Sequence, residues 1–153
     1  MHELDPLDVQ LLKQLAKNGR MSHVDLASHV YLSPSAVARR QKSLEDSGII
    51  TGYSANVSSK ALGFHATVLV HVALAIQSDE ALSEFEDAVA ECDSVVQCFL
   101  MSGEFDYLLV LLVKDLEDFE RIHKMHLSRL PAVKRIQSSF AIREVLKRTI
   151  PEF

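Results

Sequence analysis

Between Phe64 and Ile76 the side chains alternate. Ala66, Val68, Val70, Val72, Leu74 and Ile76 make one apolar face, and Thr67, Leu69, His71, Ala73 and Ala75 make a mixed one. A repeat of two belongs to a long β-strand and fits no helix. Such a strand must find partner strands and a layer to cover its apolar face. The residues that follow supply both. Ser78-Asp79-Glu80 opens a helix with Leu82, Phe85, Val89 and Cys92 at helical spacing. Val95 to Met101 reads as a second strand, Ser102 to Asp106 as a turn, and Tyr107 to Val113 as a third strand. That third strand is apolar throughout, so burial on both faces is expected. Asp115 caps another helix with Leu116, Phe119, Ile122, Leu127 and Leu130 inward, ended by Pro131, and Val133 to Ile142 is a fourth strand.

The order is βαββαβ, the ferredoxin-like arrangement, with both helices on one face of an antiparallel sheet. The opposite face still carries apolar side chains and needs a cover. The cover expected is a second copy of the chain, packed sheet against sheet.

The first half reads differently. Asp5-Pro6 starts a helix, Asp5 as cap and Pro6 at the first position. Leu4, Leu7, Leu11, Leu12 and Leu15 recur at helical spacing, and Asn18-Gly19 stops it, Gly19 suiting a left-handed residue. Ser22 to Asp25 reads as a capping box opening a second helix through Leu26, Ala27 and Val30, with Tyr31-Leu32 as a short joint. Ser33-Pro34 starts a third helix that runs to about Ser47 and ends at Gly48. At about 100° per residue, Val37 and Leu44 define its buried face, and Ser35, Arg39 and Lys42 cluster at the opposite pole. Arg40 lies on the border. Short helices joined by a tight turn, the last with a polar, basic outer face, make a helix-turn-helix. In that reading the Ser33 and Ser35 hydroxyls and the helix amides meet a phosphate. Arg39 reads guanine, and Arg40 and Lys42 neutralise phosphates. The fold class expected is therefore α+β: a helical domain over residues 1–54, a linker over 55–63, and a ferredoxin-like domain over 64–153.

The charges agree with that division. The net charge is −5. Residues 1–60 hold seven bases against six acids, and the remainder nine against fifteen. A double-stranded DNA partner would therefore meet the first half, through bases focused by geometry. No apolar run approaches the roughly 18 residues of a membrane span. The opening MHELDPLD carries three acids and no apolar stretch, so it does not read as a secretory signal, and a cytoplasmic location is expected. Cys92 and Cys98 read as reduced thiols, without a basic neighbour to activate either. His123 and His126 lack a third ligand, so no metal site is expected. The chain has no P-loop, no G-x-S-x-G and no G-x-G-x-x-G. No catalytic residue, cofactor or enzymatic activity is expected.

Four segments, in this order and spacing, resemble the Lrp/AsnC family: Leu4 to Arg20, Leu32 to Ile50, Met101 to Val110, and Arg129 to Lys147. The resemblance spans nearly the whole chain. It implies a transcription regulator whose N-terminal domain binds DNA. It implies a C-terminal domain that forms dimers, often octamers, and binds an effector, usually an amino acid, between dimers. It places the effector around Met101, Ser102, Gly103, Glu104 and Asp106, with Ser138 and Ser139 from a neighbouring subunit. There Gly103 would admit a close backbone approach, turn amides would hold an α-carboxylate, and Asp106 would accept an α-ammonium. Some relatives carry tyrosine where Ser139 aligns, so the pocket shape, and with it the effector, is not carried over. Two alternatives stand beside this reading: an effector-independent DNA-architectural protein, and a small-molecule sensor that docks on an enzyme.

Overall fold

The computed structural model describes residues 4–148, 150 and 151. Two compact units form. One comprises the residues up to Asn56 together with Arg148, Ile150 and Pro151, and the other runs from Val57 to Lys147.

The first unit holds α1 (Pro6–Lys17), α2 (His23–Val30) and α3 (Pro34–Asp46). Each starts where its capping side chain dictates. Asp5 accepts the Asp8 amide, Ser22 the Asp25 amide and Ser33 the Ala36 amide. The α1 cap is a full capping box, because Asp8 also accepts the Asp5 amide. At α2 the Asp25 carboxylate instead takes the Ser22 hydroxyl at 2.6 Å. Leu11, Leu15, Leu26, Ala27, Val30, Val37 and Leu44 form one core. The joint after α2 is Tyr31, left-handed at φ 54°. Gly19 departs from expectation and is not left-handed. It is small because a side chain there would meet Tyr53 Cδ1 at 3.2 Å. Ile150 and Pro151 join Leu12, Leu15 and the Ile49–Tyr53 stretch around an apolar groove of about 500 Å³.

The second unit holds β1 (Ala66–Leu74), α4 (Asp79–Ala90), β2 (Val95–Leu100), β3 (Tyr107–Val113), α5 (Leu116–Met125) and β4 (Val133–Ala141). A short 3-10 turn, Lys60–Leu62, precedes them. The sheet is antiparallel in the order β2-β3-β1-β4, as the βαββαβ sequence requires. Val68, Val70 and Val72 of β1 and Tyr107, Leu109 and Leu111 of β3 pack with Phe85 and Val89 of α4 and Phe119 and Ile122 of α5. Both helices thus cover one face.

Four readings change here. β1 is shorter than its alternation suggests: the register breaks at Ala73/Leu74, and Ile76 lies beyond the strand, 61% exposed. β3 is fully buried on the helix side only, while Leu108, Val110 and Leu112 are half-buried on the open side. Leu116 is 60% exposed, because the first position of α5 points about 90° from the Phe119–Ile122 line. Finally, α5 stops at Met125, and a 3-10 turn at Leu127–Arg129 carries Leu127 and Leu130 inward.

These placements separate two leucines by cost. Leu109→Ala leaves a cavity between sheet and helices and is expected to cost about 2–5 kcal/mol, read as a lower urea midpoint. Leu116→Ala is expected to stay within about 0.5 kcal/mol of the parent.

Candidate functional site

The outer stripe of α3 consists of Ser35, Arg39, Lys42 and Asp46, which recur every three or four residues on the side away from Val37 and Leu44. All four are exposed, and the two valine and leucine anchors are fully buried. Arg39 carries no ion pair among the described residues. Lys42 Nζ lies 3.1 Å from Asp46 Oδ1, with the two side chains 73% and 64% exposed. Such a pair is worth about 0–1 kcal/mol, so Lys42 can leave it for a phosphate. The Ser33 hydroxyl is busier than the sequence suggests. It accepts the Ala36 amide at 3.2 Å and lies 3.1 Å from Ser35 Oγ. Its first task is to hold the helix start.

Arg40 is expected from the sequence to neutralise a phosphate. The structure instead turns its guanidinium to α1. Arg40 Nη1 donates to Asp5 Oδ2 at 2.7 Å and to Asp8 Oδ1 at 2.8 Å. Asp8 is the one buried charged side chain among the described residues, at 4% exposure. Removing the cation from a buried carboxylate costs about 3–5 kcal/mol, against roughly 1 kcal/mol from an exposed ion pair elsewhere. Arg40 is therefore committed. Asp8, and then Asp5, raise its pKa further.

Gln41 is held as well. Its Nε2 donates to Tyr53 Oη at 2.7 Å and to Glu45 Oε1 at 3.2 Å, and Tyr53 Oη donates to Glu45 Oε1 at 2.7 Å. Burial, and secondarily Glu45, push the Tyr53 phenol above its ordinary pKa. No local sequence signal shows this triangle, since Tyr53 lies beyond the end of α3.

In the second unit the Met101–Asp106 turn is closed by the Met101 amide donating to the Asp106 carbonyl at 2.7 Å. Gly103 needs its glycine, with φ at 137° and open space where a Cβ would stand. Asp106 is less free than the sequence reading requires. Its Oδ2 accepts the Leu74 amide and its Oδ1 the Gln77 side chain, both at 2.7 Å. The carboxylate already ties the turn to the end of β1, with further lone pairs to spare. Glu104 pairs with Arg135, whose guanidinium sits 4.6 Å above the Phe105 ring. Phe105 in turn lies 5.2 Å from His71. Gln77, Phe105 and Arg135 escape the sequence reading, because they converge from β3's turn, β4 and the segment after β1.

Ser138 and Ser139 do not converge with this turn inside one chain. They pair with Val70 and Leu69, further along β1 and on the side of it away from β3. They also face opposite ways. Ser138 shares the helix side with Val70, and Ser139 the open side with Leu69. Strand alternation thus prevents both from facing the same side of the sheet.

No group of three metal-ligating side chains occurs among the described residues. His123 lies edge-on to Phe119. Cys92 is buried, and burial pushes the Cys98 thiol up, away from reactivity. None of the described helices is long and apolar enough to cross a membrane.

Comparison with known proteins adds independent findings. Residues 67–151 match the Lrp/AsnC ligand binding domain, and residues 4–51 match a winged helix-turn-helix DNA-binding domain. The chain is 37% identical over 151 residues to the Bkd operon transcriptional regulator of Pseudomonas aeruginosa, covering 99% of each. It is 34% identical over 146 residues to the leucine-responsive regulatory protein of Haemophilus influenzae, covering 95% of this chain and 87% of that one. A transcriptional regulator of Neisseria meningitidis, solved as a complex with L-methionine, superposes with a TM-score of 0.92 at 33% identity, covering 97% of each chain.

The α1–α3 clamp makes a pH prediction. The Asp8 amide first, and the Arg40 guanidinium second, hold the Asp5 carboxyl below its ordinary value of 3.8. A depressed carboxyl stabilises the fold above its unfolded pKa, and the contribution fades as pH falls through the lower folded value. The protection of α1 amides, taken relative to their intrinsic exchange rates, is therefore expected to fall below about pH 3.8. In Asp5→Asn that fall should be smaller, and the protection at pH 7 lower.

Proposed function

We propose that an amino acid controls the DNA affinity or assembly of this chain, which belongs to the Lrp/AsnC family and is a helix-turn-helix DNA-binding transcriptional regulator with a ligand-binding domain. The observation that carries the DNA side is the exposed stripe of Ser35, Arg39 and Lys42 on a helix pinned along its other faces. A helix of that kind fits the major groove, where Arg39 reads a guanine edge and Lys42 meets a phosphate. Pro34 has no N–H and the Ala36 amide donates to Ser33, so among the first amides of α3 it is that of Ser35 which is offered to a phosphate. The relatives are named as transcriptional regulators, and no catalytic role is assigned to this chain. It works in the cytoplasm, where DNA and amino acid are both present.

The effector side follows from the turn and from what the relatives are called. One relative is named leucine-responsive, and another was solved with L-methionine. In this chain the amides around Ser102, Gly103 and Glu104 take the α-carboxylate, Met101 lies against the side chain, and the remaining Asp106 lone pairs take the α-ammonium. Ser138 and Ser139 come from a neighbouring dimer, and strand alternation lets one of them line the pocket. The open sheet face, with Leu69, Val110 and Leu112 half-buried, closes against a second copy. Dimers then associate further, up to an octamer. An effector between dimers alters which half-sites the paired α3 helices span, with a coupling of about 1–3 kcal/mol.

The test is fluorescence anisotropy of a labelled duplex from upstream of the protein's own gene, at fixed salt, with each common amino acid in turn. Tight binding shifted by one amino acid is expected. Binding that no amino acid shifts favours the architectural alternative, and no binding removes the DNA role. Arg39→Ala is expected to weaken specific binding by about 1–3 kcal/mol, and Lys42→Ala to lower the salt slope by about one.

A further inference from the structure

Arg40 belongs to α3, yet its charge is spent on α1. Its Cα lies about 60° from Val37 and about 40° from Leu44 around the helix, so its side chain starts beside the buried face. One nitrogen then spans two carboxylates, reaching Asp5 Oδ2 at 2.7 Å and Asp8 Oδ1 at 2.8 Å. The other two oxygens are taken too. The Asp8 amide donates to Asp5 Oδ1 at 2.8 Å, and the Asp5 amide to Asp8 Oδ2 at 3.3 Å. The four hydrogen bonds close a ring. The N-terminal cap of α1 and a cation of α3 are one structure.

We infer that Arg40 is a positioning residue for DNA recognition. Through Asp5 and Asp8 it sets the angle at which α3 presents Arg39 and Lys42, and it makes no phosphate contact of its own. The inference rests on the reading that α3 enters the groove. Two observations on opposite flanks of α3 support it. On one flank Asp8 is buried and needs its cation. On the other, Gln41 is fastened to Glu45 and Tyr53. With both flanks held, the stripe between them has one orientation. Base readout tolerates errors of roughly 0.5 Å and 10–20°, so a loosened clamp is felt at the groove without any contact being removed.

The test is the salt dependence of binding by the full-length protein to the same labelled duplex, between about 50 and 200 mM salt. Each phosphate contact contributes about 0.9 to the slope of log affinity against log salt. Arg40→Gln is expected to weaken binding about tenfold at a given salt and to leave the slope unchanged. Asp8→Asn, which alters no cation, is expected to weaken binding in the same way. A phosphate-contacting Arg40 gives opposite results. Arg40→Gln would lower the slope by about one, and Asp8→Asn, by releasing the guanidinium, would leave binding equal or tighter. Either of these overturns the inference. Circular dichroism of each variant checks the helices. If Asp8→Asn unfolds, Asp5→Asn replaces it with the same expected signs, because the Asp5 side chain is 43% exposed and its loss is milder. A parent that binds no duplex at any salt overturns the DNA reading and this inference together.

Discussion

The buried carboxylate of Asp8 organises the helical unit. A charge at 4% exposure must be compensated where it stands, and Arg40 of α3 brings a cation to 2.8 Å from it. Because the same carboxylate completes the α1 cap, the start of the first helix and the tilt of the third cannot vary independently. The apolar core of Leu11, Leu26, Val37 and Leu44 supplies the driving force for packing, which is non-directional. The ionic ring is directional. The exposed Arg39 and Lys42 side chains take their direction from a helix held in this way.

Periodicity and local chemistry were read well from the sequence. The caps at Asp5, Ser22, Ser33, Ser78 and Asp115 all form, because a cap is a contact within three residues. The βαββαβ order was read from periodicity, and the sheet takes the ferredoxin-like arrangement expected of that order although its strand pairings are distant in sequence. What escaped was set by contacts far along the chain. Arg40 looks like a surface base until Asp8 arrives from 32 residues away. Gly19 looks like a left-handed residue after the helix stop, but it keeps a negative φ and lies against the Tyr53 ring. Asp106 looks free until Leu74 and Gln77 donate to it. The opposed directions of Ser138 and Ser139 were legible from strand alternation and needed only the register to be applied.

The two candidate sites use different physics. The α3 stripe relies on exposed, weakly paired cations whose attraction is long-ranged and screened by salt. The Met101–Asp106 turn relies on amides and a carboxylate already fixed by the backbone, with Glu104, Arg135, Phe105 and His71 stacked beside it. Short-range, oriented donors of this sort discriminate one small zwitterion from another. The acid-rich second half repels a polyanion more than the nearly balanced first half does.

The helical unit is made from two pieces of chain, because Ile150 and Pro151 complete a groove begun by Leu12 and the Ile49–Tyr53 stretch. Bringing such distant pieces together in an open chain would carry the loop-closure entropy of roughly a hundred residues. The sheet removes most of that cost. β1 and β4 are antiparallel neighbours with Thr67 opposite Ala141, so the chain enters the sheet and leaves it at the same end of two adjacent strands. The folded sheet acts as a clip that shortens the effective loop to its two flanking connections and raises the local concentration of the tail near its groove. Finishing the helical unit is thereby tied to the folding of a sheet inserted within its own sequence.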